Sequence, residues 1–205
     1  MQDYNQKENN QEDKKPQDNH QQEHHQDTPQ EVCHCHGEEA QSEHRDEEIK
    51  NSLVLRDKGE LLAKHEIVSH SMAKNLVRDA IEAMHMAYAP YSKHYVGAAL
   101  LTKEQKVYQG CNIENASYSP TNCAERTAFF KAISEGNREF SAIAIVGGKE
   151  GVLKDFCPPC GVCRQVMREF VDPKSFLVIL ARSEEDYLVF FLEELLPLSF
   201  GPDNI

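Results

Sequence analysis

The chain changes character part-way along. Up to about residue 50 it is dominated by Gln, His, Glu, Asp and Asn, with almost no large apolar side chain. Such a stretch buries too little surface to offset its ordering entropy, which predicts a disordered tail. Leu53-Val54-Leu55 and Leu61-Leu62 hint at local order. Ile67 or Val68 is the expected start of a folded domain, giving a tail over residues 1–66 and a domain over 67–205. Within that domain Leu76, Val77, Ala80, Ile81, Met84, Ala87 and Tyr88 recur at helical spacing. They predict a helix from about Ser71 to Tyr88, ended by Pro90. Tyr95 to Leu101 and Lys106 to Asn112 predict a hairpin around the polar turn Lys103-Glu104-Gln105. A second helix is expected from about Asn122 to Ser134, closed by Gly136, and Phe140 to Val146 reads as a buried strand. A third helix opens near Pro159 and stops before Asp172-Pro173. Strands over Ser175 to Leu180 and Tyr187 to Phe191 follow, then a short helical turn at Leu192 to Leu195. This order predicts an α/β fold, a three-layer α-β-α sandwich around a mixed five-stranded sheet. No internal repeat is visible.

Charge sharpens the division. The formal net charge is -12. Residues 1–66 hold 17 acidic and 8 basic side chains, leaving the domain near neutrality at -3. That balance argues against a polynucleotide partner, which calls for a basic face. No apolar run is long enough to span a bilayer, and the polar start Met-Gln-Asp-Tyr-Asn-Gln-Lys is not expected to act as a secretory signal. The 7 cysteines are an odd number, and a Cys-x-x-Cys kept reduced to hold a metal implies a cytoplasmic protein.

The chemistry concentrates in Cys123-Ala124-Glu125 and Pro159-Cys160-Gly161-Val162-Cys163. Cys123, Cys160 and Cys163 supply three thiolates to one Zn²⁺ and leave its fourth position open, as a catalytic zinc requires. Both groups fall at predicted helix starts, where the dipole favours thiolate, and Cys160 and Cys163 share one helix face. Ser119, Thr121 and Asn122 are candidate caps for the helix that Cys123 opens. Three thiolates weaken the ion as a Lewis acid, so a base is needed beside it, and Glu125 is placed for that task. Arg126 is expected to bond to a thiolate and restore some of the lost acidity. Taken alone, Cys-x-x-Cys fits a redox pair or half a structural zinc site equally well. Cys157 is a conceivable fourth ligand for a structural ion, but Pro158-Pro159 stiffens the chain and turns it elsewhere. Together the two groups match the zinc deaminase signature.

Further segments carry a closer resemblance. Ala89-Pro90-Tyr91-Ser92-Lys93, Val96-Gly97-Ala98-Ala99-Leu100, Gly110-Cys111-Asn112-Ile113-Glu114-Asn115-Ala116, Cys123-Ala124-Glu125-Arg126-Thr127-Ala128, Pro159-Cys160-Gly161-Val162-Cys163-Arg164-Gln165 and Glu193-Glu194-Leu195-Leu196-Pro197 resemble the small, homotetrameric cytidine deaminases. The resemblance runs from about residue 70 to the C-terminus. It implies hydrolysis of cytidine and deoxycytidine to uridine and deoxyuridine in pyrimidine salvage, with one zinc per subunit held by Cys123, Cys160 and Cys163. It implies that Glu125 carries a proton from the attacking water to ring N3 and then helps ammonia leave. Asn112 and Glu114 match the pair that binds the ribose hydroxyls, although the pattern alone reads them as solvated turn residues. Ala116, Tyr118 and Ala124 join them as substrate-binding positions. Phe200 matches a C-terminal aromatic that reaches a neighbouring subunit's pocket, and packing within the chain is the alternative.

The chain also departs from the family. His94 stands where the family has a phenylalanine that stacks on the pyrimidine. Imidazole is flat too, but smaller in apolar area and titratable. Cys33-His34-Cys35-His36 is spaced too tightly to wrap a tetrahedral ion, and with His20, His24 and His25 it reads as part of the polar tail. Competing readings are a polynucleotide-editing deaminase, a zinc-stabilised interaction module, and a deaminase of a nucleoside-like antibiotic or modified nucleoside. The first lacks a basic stripe, the second has no use for Glu125, and His94 leaves room for the third.

Overall fold

The computed structural model describes residues 68–205. The expected tail over residues 1–66, the histidines His20, His24 and His25, and the Cys33-His36 run all lie outside the described residues.

Five strands form one sheet in the order β2-β1-β3-β4-β5. They are β1 (His94–Thr102), β2 (Val107–Cys111), β3 (Phe140–Lys149), β4 (Leu177–Ala181) and β5 (Tyr187–Phe191). The helices are α1 (His70–Met84), α2 (Ala124–Ser134), α3 (Gly161–Phe170) and the single turn α4 (Leu192–Leu195). No helix among the described residues is long and apolar enough to cross a membrane. β1 pairs antiparallel with both β2 and β3, β3 pairs parallel with β4, and β4 pairs antiparallel with β5. The mixed five-stranded sheet and its two helical layers agree with the sequence reading.

Alternation along the strands sorts the core into two halves. Leu101 and Ala99 of β1, Ala142 and Ala144 of β3 and Leu177 and Ile179 of β4 face α1, through its Leu76, Val77 and Ala80. Leu100, Ile143, Ile145 and Val178 face α2 and α3, around Phe129 and Met167. Phe129 meets Phe140 edge-on, with centroids 4.9 Å apart, and stacks near Phe170. Two glycines set how closely the helices approach. A Cβ on Gly97 would run into the Ala80 and Met84 backbone of α1, and one on Gly110 into the Ala124 and Ala128 backbone of α2.

The topology explains why the two cysteine groups converge. β2 and β3 both run antiparallel to β1, so they are parallel to each other. α2 follows β2 and α3 follows β3, and both helices cover the same face. Their N-termini therefore open at the same end of the sheet, beyond the strands' carboxyl ends, which is where open α/β sheets bind ligands.

Several expected boundaries move. α1 ends at Met84, not near Tyr88. The Tyr88 N–H donates to the Asn112 carbonyl at 3.0 Å, and the Glu114 N–H donates to the Tyr88 carbonyl at 2.8 Å. Ile113 pairs on its other side with Asn122 through two 2.9 Å bonds. These bonds hold Asn122 out of α2, which starts at Ala124. The segment 112–114 thus takes the backbone groups that helical propensity would have used, a tertiary override of a local signal. Gly136, at φ +89, does close α2. Its N–H reaches the Ile133 carbonyl and the Asn137 N–H reaches that of Ala132, the Schellman arrangement. β3 runs on to Lys149 because Gly147 and Gly148 still pair with Val96 and Tyr95. β4 starts at Leu177, since Asp172 accepts from the Ser175 and Phe176 N–H groups and bends the chain there.

Candidate active site

Cys123 is the N-cap of α2 and Cys160 the N-cap of α3, both in extended backbone conformation. Cys163 is three residues on, at the third position of α3. Neither sulfur caps the backbone N–H groups of its own helix, which leaves both for other partners. The expected caps are otherwise engaged. Asn122 donates to the Thr127 hydroxyl at 3.1 Å, and the Thr121 hydroxyl accepts from the Asn115 N–H. Ser119 does not cap α2 either, because Cys123 occupies that position.

The sulfurs of Cys123 and Cys160 are 3.9 Å apart, those of Cys160 and Cys163 3.5 Å, and all three lie within 4.8 Å of one another. Sulfurs about 2.3 Å from one tetrahedral zinc stand about 3.8 Å apart. The cluster therefore has the dimensions of a zinc site. Cys163 is buried, Cys123 half-buried and Cys160 exposed, so the cluster has a solvent side.

Charge in the cluster starts on Cys123. A hydrogen bond from Cys163, together with the Arg126 guanidinium, brings the Cys123 thiol down to about 5 against the cost of its burial. Cys163 moves in the opposite direction, because its proton serves that thiolate and because it is buried. Arg126 donates from Nη2 to Cys123 Sγ at 3.5 Å and to the Thr121 carbonyl at 3.1 Å, the contact expected of it from the sequence.

Glu125 is 4% exposed. Burial pushes its carboxyl up to about 7, and the nearby Cys123 thiolate adds to the rise. A carboxyl titrating near neutrality, one residue removed from a metal ligand, is suited to taking up and returning a proton.

Among the remaining sequence candidates, Asn112 and Glu114 make backbone-supporting contacts. Asn112 is buried. Its amide donates to the His94 carbonyl at 2.8 Å and accepts from the Val96 N–H at 2.8 Å. Glu114 accepts from the Ser92 hydroxyl and from the Tyr91 and Ser92 N–H groups. The Ser92 bond, ahead of those two, holds the Glu114 carboxyl below its ordinary range. Both residues thus brace the turn that leads into β1. One Asn112 N–H and part of the Glu114 carboxylate are left over for a ligand. His94 is exposed at the head of β1, with Nε2 3.7 Å from Cys157 Sγ. Tyr118, at φ +58 and 74% exposed, lies 6.3 Å from Tyr91 in a loop that also carries exposed Ala116. Ala124 is fully buried against Gly110, as part of the core. Phe200 is 63% exposed, so it does not pack within the chain. Its carbonyl accepts from Gln165 Nε2 at 3.0 Å.

Sequence reasoning missed the supports. Ser92, which holds Glu114, and Arg164, which ties the Pro159 carbonyl to that of Leu195 at 2.7 Å each, bear no signal beyond their membership of the motif segments. Cys157 stays outside the three-sulfur cluster.

The comparisons with known proteins agree with this geometry. The family model described as the cytidine and deoxycytidylate deaminase zinc-binding region matches residues 70–179. A cytidine deaminase of Sporosarcina psychrophila is 46% identical over 132 residues, 64% of this chain and 93% of that protein. One from Halalkalibacterium halodurans is 48% identical over 130 residues, 63% of this chain and 95% of that protein. The crystal structure of cytidine deaminase from Burkholderia pseudomallei superposes with a TM-score of 0.57 at 48% identity, covering 62% of this chain and 97% of that one. With three thiols poised for one ion and a neutral-range carboxyl beside them, the chain belongs to the zinc-binding cytidine and deoxycytidylate deaminase family.

Proposed function

We propose that this protein hydrolyses cytidine, and with it deoxycytidine, to the corresponding uridine, releasing ammonia. The observation that carries the reading is Glu125, a buried carboxyl with its titration raised to about 7, adjoining a three-thiol cluster of zinc dimensions. A structural zinc has no need of such a group.

Cys123, Cys160 and Cys163 hold the zinc. When bound, it supplies a Lewis acid that makes water nucleophilic near neutral pH. The chain's own groups do the rest. Glu125, ionised, accepts the proton of the water that attacks C4 and passes it to ring N3. It then takes the proton of the new C4 hydroxyl and gives it to the leaving amino group, which departs as ammonia while the carbonyl forms. One carboxyl thus works twice, which a titration near the working pH favours. Arg126 offsets thiolate charge through its bond to Cys123.

Asn112 and Glu114 are the proposed ribose-binding pair, working from the spare N–H and the exposed part of the carboxylate. His94, Ala116, Tyr118 and the main chain at Ala124 complete the proposed substrate contacts. Phe200 points away from its own core and suits a pocket on another subunit of a homotetramer. A cytoplasmic role in pyrimidine salvage fits a centre that depends on reduced thiols.

The test follows the ultraviolet absorbance of cytidine with wild type and Glu125→Ala, with zinc content measured on both. Lost turnover with zinc retained is expected. Unchanged turnover overturns the assignment of Glu125, and no turnover by wild type at one zinc per chain overturns the activity.

A further inference from the structure

Two residues that the deaminase chemistry does not use as ligands meet beside the cysteine cluster. His94 opens β1 and is exposed, while Cys157 lies half-buried in the loop leading to α3. His94 Nε2 and Cys157 Sγ are 3.7 Å apart. That is the spacing of two donors on one ion. With nitrogen about 2.0–2.1 Å and sulfur about 2.3 Å from a tetrahedral zinc, the donors stand about 3.6 Å apart. The value also falls between the 3.9 and 3.5 Å sulfur spacings of the cluster itself.

The surroundings keep the pair together and separate from the cluster. Pro158-Pro159 stiffens the link to Cys160, so Cys157 is not drawn in as a fourth ligand. Gly147 of β3 makes room for its sulfur, since a Cβ there would come within 2.9 Å of it. Cys157 is also close enough to Glu125 and Cys123 for their negative charge, after burial, to raise its thiol to about 12. Exposed His94 leaves a cation a way in.

We propose that His94 and Cys157 form a second, thiophilic cation site, for Zn²⁺ or Cd²⁺ with water completing the coordination, and that filling it inhibits the enzyme. An ion there, with its water shell, occupies space beside Glu125. The binding stands on geometry alone, while the inhibition rests on the deaminase reading above.

The experiment uses the full-length holoenzyme with one zinc per chain. Added Zn²⁺ is titrated against cytidine turnover, and added Cd²⁺ against cadmium–thiolate ultraviolet absorption and bound metal. Wild type is expected to lose turnover as Zn²⁺ exceeds one per chain and to gain thiolate absorption with added Cd²⁺. Loss of a direct ligand costs at least as much affinity as loss of an outer-shell partner. His94→Phe and Cys157→Val are therefore expected to need at least about tenfold more Zn²⁺ for half-inhibition of their own starting rates. Cys157→Val is also expected to lose the added absorption. A Cys33→Ser/Cys35→Ser double variant controls for the N-terminal cysteines and is expected to behave as wild type. Equal inhibition of wild type and both site variants overturns the proposal. So does absorption that persists in Cys157→Val and vanishes in the Cys33/Cys35 variant. Should Cys157→Val fail to fold, His94→Phe, at an exposed position, decides alone. Absent turnover before any Zn²⁺ is added would count against the deaminase reading, and the Cd²⁺ result would still stand.

Discussion

The two faces of the sheet are built to different ends. On one, α1 lies against alanines and Gly97, and its N-cap Ser69 accepts a 3.3 Å bond from the Met72 N–H. The buried core side chains packed there are apolar, with Tyr187 bonded to His70. On the other, α2 and α3 open on Cys123 and Cys160, caps that leave their helices' first N–H groups without a side-chain acceptor. A serine or aspartate there would stabilise each helix by about 1 kcal/mol. The functional face forgoes that and places sulfur where the dipoles favour thiolate. The lesson is positional: residues at the most stabilising sites of a helix are given over to the metal, and the neighbouring face supplies ordinary stability.

The sharpest break comes from the cluster. Cys163→Ala is expected to abolish zinc binding and turnover together, measured by metal content and cytidine absorbance. Cys123→Asp goes the other way on stability. In chelator-treated protein it is expected to raise helix stability by about 1 kcal/mol in denaturant titrations, while activity is lost.

Glu125→Gln tests the carboxyl while keeping its volume. A fall in kcat of about 10²–10⁴-fold with zinc retained is expected. The pH profile gives the sign. Glu125 must be ionised to accept a proton, and burial raises its titration toward about 7. The kcat/KM of wild type is therefore expected to drop as pH falls through a value between the ordinary carboxylate range and 7. About tenfold is lost per pH unit below it.

Core truncations compare the faces directly. Leu76→Ala on the α1 face is expected to cost about 2–5 kcal/mol and Phe129→Ala beneath α2 about 3–5 kcal/mol. Zinc content per folded molecule should fall only for Phe129→Ala, because α2 carries Cys123. Ser69→Ala is the smallest change, about 1 kcal/mol of stability with kcat untouched. An equal loss of kcat would show that the α1 face is coupled to the chemistry.

Much of this was legible from residue order. The helical spacing of Leu76 to Met84 and Gly136 as a helix stop are local signals: a 3.6-residue period commits one helix face to burial, and glycine readily takes the left-handed conformation that ends a helix. The cysteine cluster was legible because few residue types can hold zinc, and Glu125 stood out as a candidate because few side chains beside such a cluster can carry a proton. What was not legible depends on distant partners. The end of α1 and the start of α2 move because residues 112–114 claim backbone groups at Tyr88 and Asn122. The bracing tasks of Asn112 and Glu114 need the turn at 91–94 brought alongside.

Residue order alone establishes which atoms are available: three thiols, one carboxyl and their helical or extended settings, since these follow from composition and periodicity. Their assembly is a property of the folded molecule. β2 and β3, parallel through a shared antiparallel neighbour, open α2 and α3 at one end of the sheet, and burial there lifts Glu125 toward neutrality. His94 and Cys157, 63 residues apart in the chain, meet at 3.7 Å for the same reason. Proximity and desolvation arise from long-range packing, and no local pattern encodes them.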